Sequence, residues 1–391
     1  MERAVIVEGV RTPVGKFMGA FSDVPAVDLG VHATKAAIAR AGLEPHDVDE
    51  LVFGHGRQAG NGPNPARQVS YLSGIGEDKP AFTVNMACGS GTKAIQVAAE
   101  QIILGNAEVV VAGGQENMTR TPFLLDRMRG GYRMGDATVH DGMSRDGFLD
   151  PLCGLIMGET AENLAQRYDI SREESDEFAL RSQQKAAASA ARRAREIEPI
   201  EVAGPKGRTT LVERDEHIRP DTTLEGLAKL KPTFKPDGIV TPGNASGITD
   251  GAAALVLMGE ARARAEGREP LARIVAYASA GVDPAYMGIG VVPSTKKVLE
   301  KTGLALQDFD VIEVNEAFAP QVLACDRELK FDHEKLNPNG GAIALGHPIG
   351  MTGARIVLTL AYELRERGAT LGLATLCISG GQGMAMVLER A

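Results

Sequence analysis

The chain has 391 residues, 43% of them hydrophobic and 24% charged, which calls for more than one packed core and excludes a disordered chain. A net charge of −9 excludes nucleic acid as a bulk partner, because phosphate neutralisation needs a basic face, and no apolar run is long enough to span a membrane. Cys88, Cys153, Cys325 and Cys377 stand far apart with no C-x-x-C pair, which excludes zinc-ribbon and thioredoxin patterns and fits a reduced cytoplasm.

Val5–Val7 reads as a buried strand that starts at once, too short and too soon interrupted by Glu8 for a signal peptide. Gly15-Lys16 lacks the spacing and the hydroxyl residue of a phosphate loop. Val27–Ala41 is predicted as a helix. The apolar run Phe82–Met86, with Val84–Met86 at its heart, predicts a second buried strand. It leads through Ala87-Cys88-Gly89-Ser90-Gly91 into a helix over Thr92–Leu104. Cys88 therefore stands at a helix N-terminus, where free N–H groups and the positive dipole end favour thiolate. A buried cysteine is as often a plain small hydrophobe, so this segment alone leaves both readings open. It also matches a dinucleotide fingerprint, but Glu108 precedes the next strand and cannot face a ribose.

Val109–Ala112 predicts a third strand, closed by Gly113-Gly114. Residues 119–150 show no period and read as extended loop. Ser171-Arg172-Glu173-Glu174 is a capping-box start. The stretch that follows carries Arg181, Lys185, Arg192, Arg193 and Arg195. It reads either as a solvated helix face or as a basic surface for a phosphate-bearing ligand. Strands resume at Leu255–Met258, Ile274–Ala276 and Val311–Val314. Gly346-His347-Pro348 is predicted to sit at another strand-to-helix junction, before a helix over Thr352–Arg367. The strand Leu371–Leu376 then turns through Cys377-Ile378-Ser379-Gly380-Gly381 into Met384–Leu388. Short apolar runs alternating with longer amphipathic stretches predict an α/β fold with buried sheets.

The chain repeats itself. Ala41-Gly42-Leu43 and the run to Phe53 correspond to Thr302-Gly303-Leu304 and the run to Val314. Ser90–Ile95 falls on Met351–Ile356 at the same offset. Between the first copy's strand at Val109 and its partner near Leu255, a long segment is inserted. The predicted division is 1–117 plus 250–269 for one core domain, 118–249 for an inserted loop domain and 270–391 for the second core. If the copies pack about a pseudo-two-fold axis, Cys88, His347 and Cys377 converge. A nucleophile, a base and a second thiol then make a covalent site; a zinc site from the same three residues is the weaker alternative.

Seven blocks in order carry a resemblance: Asn64-Pro65-Ala66-Arg67-Gln68, Asn85–Gly91, Met157–Asn163, Asn244-Ala245-Ser246-Gly247, Asn315-Glu316-Ala317-Phe318, Gly346-His347-Pro348 and Cys377–Gly381. With them the chain resembles the thiolases along essentially its whole length. The resemblance implies a five-layered fold of duplicated βαβαβαββ cores with an inserted loop domain. It implies acyl transfer between coenzyme A thioesters with no further cofactor and no metal. By the same resemblance Cys88 is acylated, His347 activates it and Cys377 exchanges the α-proton of the second thioester. Asn315 holds a water that, with His347, stabilises one oxyanion, and the backbone N–H groups of Cys88 and Ser379 form the other oxyanion hole. Arg219 and Ser246 are the expected coenzyme A contacts, and Met157, Met287, Ala317 and Phe318 the acyl end.

The expected reaction is condensation of two acetyl-CoA to acetoacetyl-CoA and coenzyme A, or its reverse. A degradative 3-ketoacyl-CoA thiolase and a non-catalytic acyl-CoA-binding protein are the alternatives. The expected setting is a cytoplasmic homotetramer. The sequence departs from the family pattern at Thr92, Ile156, Pro242 and Ser379. Ser379 stands where Gly is usual and serves through its N–H only if its φ suits a side chain.

Overall fold

The computed structural model describes residues 2–204 and 207–391. Its core strands are β1 (Ala4–Arg11), β2 (Glu50–Gly54), β3 (Ala81–Val84), β4 (Val109–Asn117), β5 (Thr249–Gly259), β6 (Ala272–Gly281), β7 (Val311–Val314), β8 (Leu371–Ile378) and β9 (Gln382–Arg390). The helices that matter here are α1 (Ala26–Arg40), α2 (Pro65–Leu72), α3 (Ser90–Ile103), α4 (Met157–Arg167), α5 (Arg172–Ala188), α6 (Val291–Thr302), α7 (Ala319–Leu329) and α8 (Ile349–Arg367).

The strands run in the order β7-β8-β9-β6-β1-β5-β4-β2-β3. The two halves of this sheet meet only where Val5 and Ile6 of β1 pair with Arg273 and Ala272 of β6. Each strand alternates between two cores, as a pleated strand buried on both faces must. Val109 and Val111 point into an outer core with Leu29, Leu51 and Phe53. Val110 and Ala112 point into a central core shared with Ile95, Leu358, Ala374 and Met386. A third core holds Leu373 and Val387 against Val291 and Val322. One core between the two half-sheets and one on the outer side of each give five layers: α1 and α2, half-sheet, α3 and α8, half-sheet, α6 and α7.

The repeat is visible in space. The chain after α1 turns through Gly42 at φ 62°, and α6 ends on Gly303 at φ 71°, the left-handed conformation that glycine adopts at a helix end. α3 and α8 cross at the centre of the molecule. A Cβ on Gly91 would lie 2.5 Å from Ala354 N, and one on Gly353 would lie 2.5 Å from Thr92 N, so the backbones approach closely only because both positions lack a side chain. Thr92 Oγ1 donates to Gly353 O at 3.0 Å across this crossing. The hydroxyl at a position usually apolar therefore has a structural partner.

Several expectations are corrected. β4 does not stop at Gly113-Gly114 but runs on to Asn117. A Cβ there would run into Ala253 O at one glycine and Gly350 O at the other, so these glycines permit close packing and do not end the strand. β3 ends at Val84, because Asn85 and Met86 turn the chain toward Cys88. His347 follows a helical turn, Ala342–Leu345, where a strand was expected. That turn is buried, and Ile343 N donates to Glu316 Oε2 at 3.2 Å. The edge position matching β3 is reduced in the second copy to one bridge, Ile312 with Leu336. Residues 118–248 lie between the adjacent antiparallel strands β4 and β5. The supposed loop 119–150 holds three short strands: Phe123–Leu125 and Val139–Asp141, paired antiparallel, and Leu149–Asp150, which pairs antiparallel with Leu155–Ile156. No helix among the described residues is long and apolar enough to cross a membrane.

Candidate active site

The turn into α3 is held under local strain. Ala87 sits at φ 44°, a conformation costly for a residue with a side chain. Asn85 Oδ1 accepts from Ala87 N at 3.0 Å, and Ser90 Oγ accepts from Met86 N at 2.9 Å while donating to Ala87 O at 2.6 Å. These bonds fix Cys88, half-buried, at the floor of a cavity. Gly89 rests on Ile378, whose Cδ1 would stand 2.5 Å from any Cβ there. Ile378 and its neighbour Cys377 end β8, where they pair with Gln382 and Gly383 of β9.

The hairpin beyond Cys377 turns at Gly380 (φ 83°) and Gly381 (φ 72°), while Ser379 is not left-handed. Ser is thus tolerated where Gly is usual, because the glycines that follow take the unusual conformations. Gly380 N donates to Asp150 Oδ2 at 2.9 Å, so the inserted segment steadies this hairpin. The backbone N–H groups of Ser379 and of Cys88 itself both lie against Cys88 Sγ.

His347 is the second copy's contribution. Its Nδ1 lies 2.6 Å from Thr352 Oγ1, and Thr352 Oγ1 donates to Pro348 O at 2.9 Å. The threonine's one proton is committed to the carbonyl, so its oxygen accepts from Nδ1–H. That assigns the neutral tautomer with a lone pair on Nε2, where Asn315 Nδ2 lies 3.5 Å away. Asn315 is fully buried and its Oδ1 has no protein partner.

Electrostatics differ from the expectation of a resting thiolate. Burial pushes the Cys88 thiol up, and Arg57 and the two N–H groups offset this only in part. Cys377, fully buried, is raised well above the ordinary thiol value by burial and by the nearby Cys88. Burial, with Arg355 and Arg57, lowers His347 to about 3. At neutral pH the site therefore holds two thiols and a neutral imidazole.

One cavity of about 540 Å³ is lined by Cys88, His347, Ser379, Arg219, Ser246, Met157, Met287, Ala317 and Phe318. Asn315 and Cys377 stand behind that wall. The loops carrying Ser246 and Phe318 are zipped together: Ser246 N donates to Ala317 O at 2.9 Å and Ala319 N to Asn244 O at 2.9 Å. Phe234 packs edge-on to Phe318 with ring centroids 6.1 Å apart. Arg219 is exposed at the mouth beside His217, and both also line a smaller recess of about 220 Å³.

The basic surface expected over α5 and its sequel is reduced to Arg181 and Arg192, which stay exposed. Lys185 Nζ donates to His333 O and Leu336 O at 3.1 and 2.8 Å, Arg193 is buried against Asp215, and Arg195 pairs with Glu366. These cations are spent on the fold. The sequence reading also missed His217, Phe148, Phe234, Arg57, and the pair His55–Glu116. Glu116 Oε1 lies 3.2 Å from His55 Nε2, and its Oε2 accepts from Gly56 N and Gly350 N at 2.9 Å each. This one buried carboxylate ties the first copy to the start of α8. No local pattern marks such residues, because their partners are distant in sequence.

Two family models match: the N-terminal domain of thiolase over residues 4–261 and the C-terminal domain of thiolase over residues 268–390. An acetyl-CoA acetyltransferase of Escherichia coli K12 is 53% identical over the full length of both chains. One from Pseudomonas aeruginosa is 50% identical, again over the full length of both. A solved acetyl-CoA acetyltransferase of Bacillus anthracis superposes with a TM-score of 0.98 at 46% identity, covering 100% of this chain and 99% of that one. Human mitochondrial 3-ketoacyl-CoA thiolase gives 0.96 at 43% identity, with the same coverage. With Cys88 from one copy lining the same cavity as His347 and Ser379 from the other, and with both domain models matched across nearly all its length, this chain belongs to the thiolase family.

Proposed function

We propose that the protein condenses two acetyl-CoA to acetoacetyl-CoA and coenzyme A, reversibly, through an acyl group on Cys88. The observation that carries this reading is the meeting of Cys88 with the Ser379 N–H, beside a buried neutral His347. His347 Nε2 takes the Cys88 proton as Sγ attacks the thioester carbonyl. The oxyanion falls to the N–H groups of Cys88 and Ser379. The C–S bond to coenzyme A breaks and the leaving thiolate takes the Cys377 proton. The Cys377 thiolate so formed is a strong base, because burial disfavours it, and it removes the α-proton of the second acetyl-CoA. That carbanion attacks the acyl carbonyl, and Cys88 leaves, recovering its proton from His347. Each group ends as it began. His347 with Asn315 is the second oxyanion site in this scheme.

Arg219 and Ser246 are proposed to hold coenzyme A, Arg219 at the exposed mouth and Ser246 toward the pantetheine. Met157, Met287, Ala317 and Phe318, all nine-tenths buried or more, are proposed to close the acyl end to short chains. A homotetramer is proposed on the inserted loop, where Phe123 is 68%, Met128 62% and Met134 95% exposed; apolar side chains so bare on a single copy suit contact with further copies. Four unpaired cysteines suit the cytoplasm.

The test is thiolysis by the purified protein. The kcat/KM for acetoacetyl-CoA should exceed that for an eight-carbon 3-ketoacyl-CoA by at least ~10-fold, the low end of what misplaced methylenes cost. Equal or better use of the longer substrate would move the protein to the degradative class.

A further inference from the structure

Arg57 has no part in the steps above, yet it lines the same cavity as Cys88 and His347. It is only 7% exposed, and its Nε has no hydrogen-bond partner. Among the described residues no carboxylate stands within ion-pair distance of it; the nearby Glu116 takes its backbone N–H at 3.1 Å and is otherwise engaged with His55. Glu116 feels the charge of Arg57 but makes no ion pair with the guanidinium, and a buried cation is ordinarily paired directly.

The surroundings hold this cation in place. Phe148 lies under the guanidinium, 6.0 Å from ring centroid to Cζ. Gly147 leaves room for it, since a Cβ there would run into the guanidinium. The backbone on either side is pinned by Glu116, through Gly56 N and Arg57 N. The rest of that wall is apolar: Met118, Phe148 and Ile349. The cavity's other cations, Lys16 and Arg219, are exposed; a planar guanidinium buried beside Met118, Phe148 and Ile349 with no ion pair is built to meet a planar anion. The Cys88 thiol is not that anion in the resting site, because burial keeps its proton on despite Arg57.

We propose that Arg57 binds a carboxylate at the far end of a short acyl chain, so that the protein also cleaves and forms 3-oxo dicarboxylic acyl-CoA thioesters. The claim rests on the thiolase chemistry proposed above and adds a substrate class to it. The thiol transfer itself is unchanged: Cys88 takes the carboxylate-ended acyl group, acetyl-CoA leaves, and free coenzyme A then receives the acyl group.

The experiment compares pairs of equal length in thiolysis: 3-oxohexanedioyl-CoA against 3-oxohexanoyl-CoA, and the eight-carbon pair likewise. Acetoacetyl-CoA in the same assay reports on the parent reading by itself. The proposal expects the diacid to exceed its monoacid partner in kcat/KM by at least about 10-fold for one pair. Arg57→Leu should erase or reverse that preference, and Arg57→Lys should retain part of it. A protein that cleaves acetoacetyl-CoA but shows no preference for either diacid overturns the proposal and leaves the parent reading standing. A preference that survives in Arg57→Leu overturns it too. So does an equal loss on diacid and monoacid with slower alkylation of Cys88 at neutral pH, which would assign Arg57 to the nucleophile.

Discussion

The two turns that meet at the cavity, one from each copy of the repeat, have diverged in opposite directions. The first follows a strand, is strained at Ala87, and presents Cys88 half-exposed to the cavity. The second follows a helical turn, passes through Gly346 at φ 98°, and buries His347 against Thr352. In the scheme proposed above, one copy supplies the atom that bonds to substrate, and the other supplies the imidazole, the second thiol and the Ser379 N–H that manage protons and charge. Duplication set two helix starts face to face across α3 and α8, and each was then free to carry different chemistry.

The largest effect should separate the two cysteines that this division assigns to different copies. Cys88→Ala should lower both half-reactions on the order of 10⁴-fold or more with an unchanged circular dichroism spectrum. Cys377→Ser should still form the acyl-enzyme but lose roughly 10²–10⁴ in condensation. Mass mapping after a brief acetyl-CoA pulse reads both, with acetyl expected on Cys88. Acetyl on Cys377, or a Cys377→Ser protein that cannot be acylated, would mean the roles are reversed.

A smaller effect should come from the residue that sets the imidazole. Thr352→Val removes the acceptor for Nδ1–H, and a buried group left unpaired costs ~1–3 kcal/mol, on the order of 10- to 100-fold in kcat/KM. Thr352→Ser should restore most of it. If Val and Ser variants behave alike, the hydroxyl does not orient His347.

The smallest effect concerns stability. His347 is held near 3 in the native protein against an ordinary 6.5. The unfolded chain therefore binds a proton as pH falls through 6.5 and the native chain does not, so this group's contribution is complete above about 6.5 and is lost progressively toward 3. Urea midpoints at pH 7 and pH 5 should differ less for His347→Gln than for the unmodified protein. An identical drop in both would show that the imidazole is not held neutral by the fold.

Much of the fold was legible because it is local. Apolar runs located eight of the core strands, although β4, β5 and β6 each run five or six residues beyond the apolar stretch that marks them, and the matching Gly42 and Gly303 exposed the repeat. Errors fell where tertiary contact overrides local preference. Gly113-Gly114 looked like a break but sits inside β4, because a neighbouring backbone needs the space. The basic residues after Ser171 looked free for phosphate, but Asp215, Glu366 and the carbonyls of residues 333 and 336 claim several of them.

The same boundary runs through the site. Sequence determined which residues are chemically able to act: a cysteine at a helix start, a Gly-His-Pro turn, a second cysteine in a glycine-rich hairpin. Those signals survive without coordinates because each lies within a few consecutive residues. Only the tertiary structure decided their state. Whether Cys88 rests as thiol or thiolate, which nitrogen of His347 is free, and that Arg57 stands unpaired in the cavity all depend on burial and on partners far along the chain. Charge interactions in a low-dielectric interior are set by distance in space, and no local stretch of sequence encodes that distance.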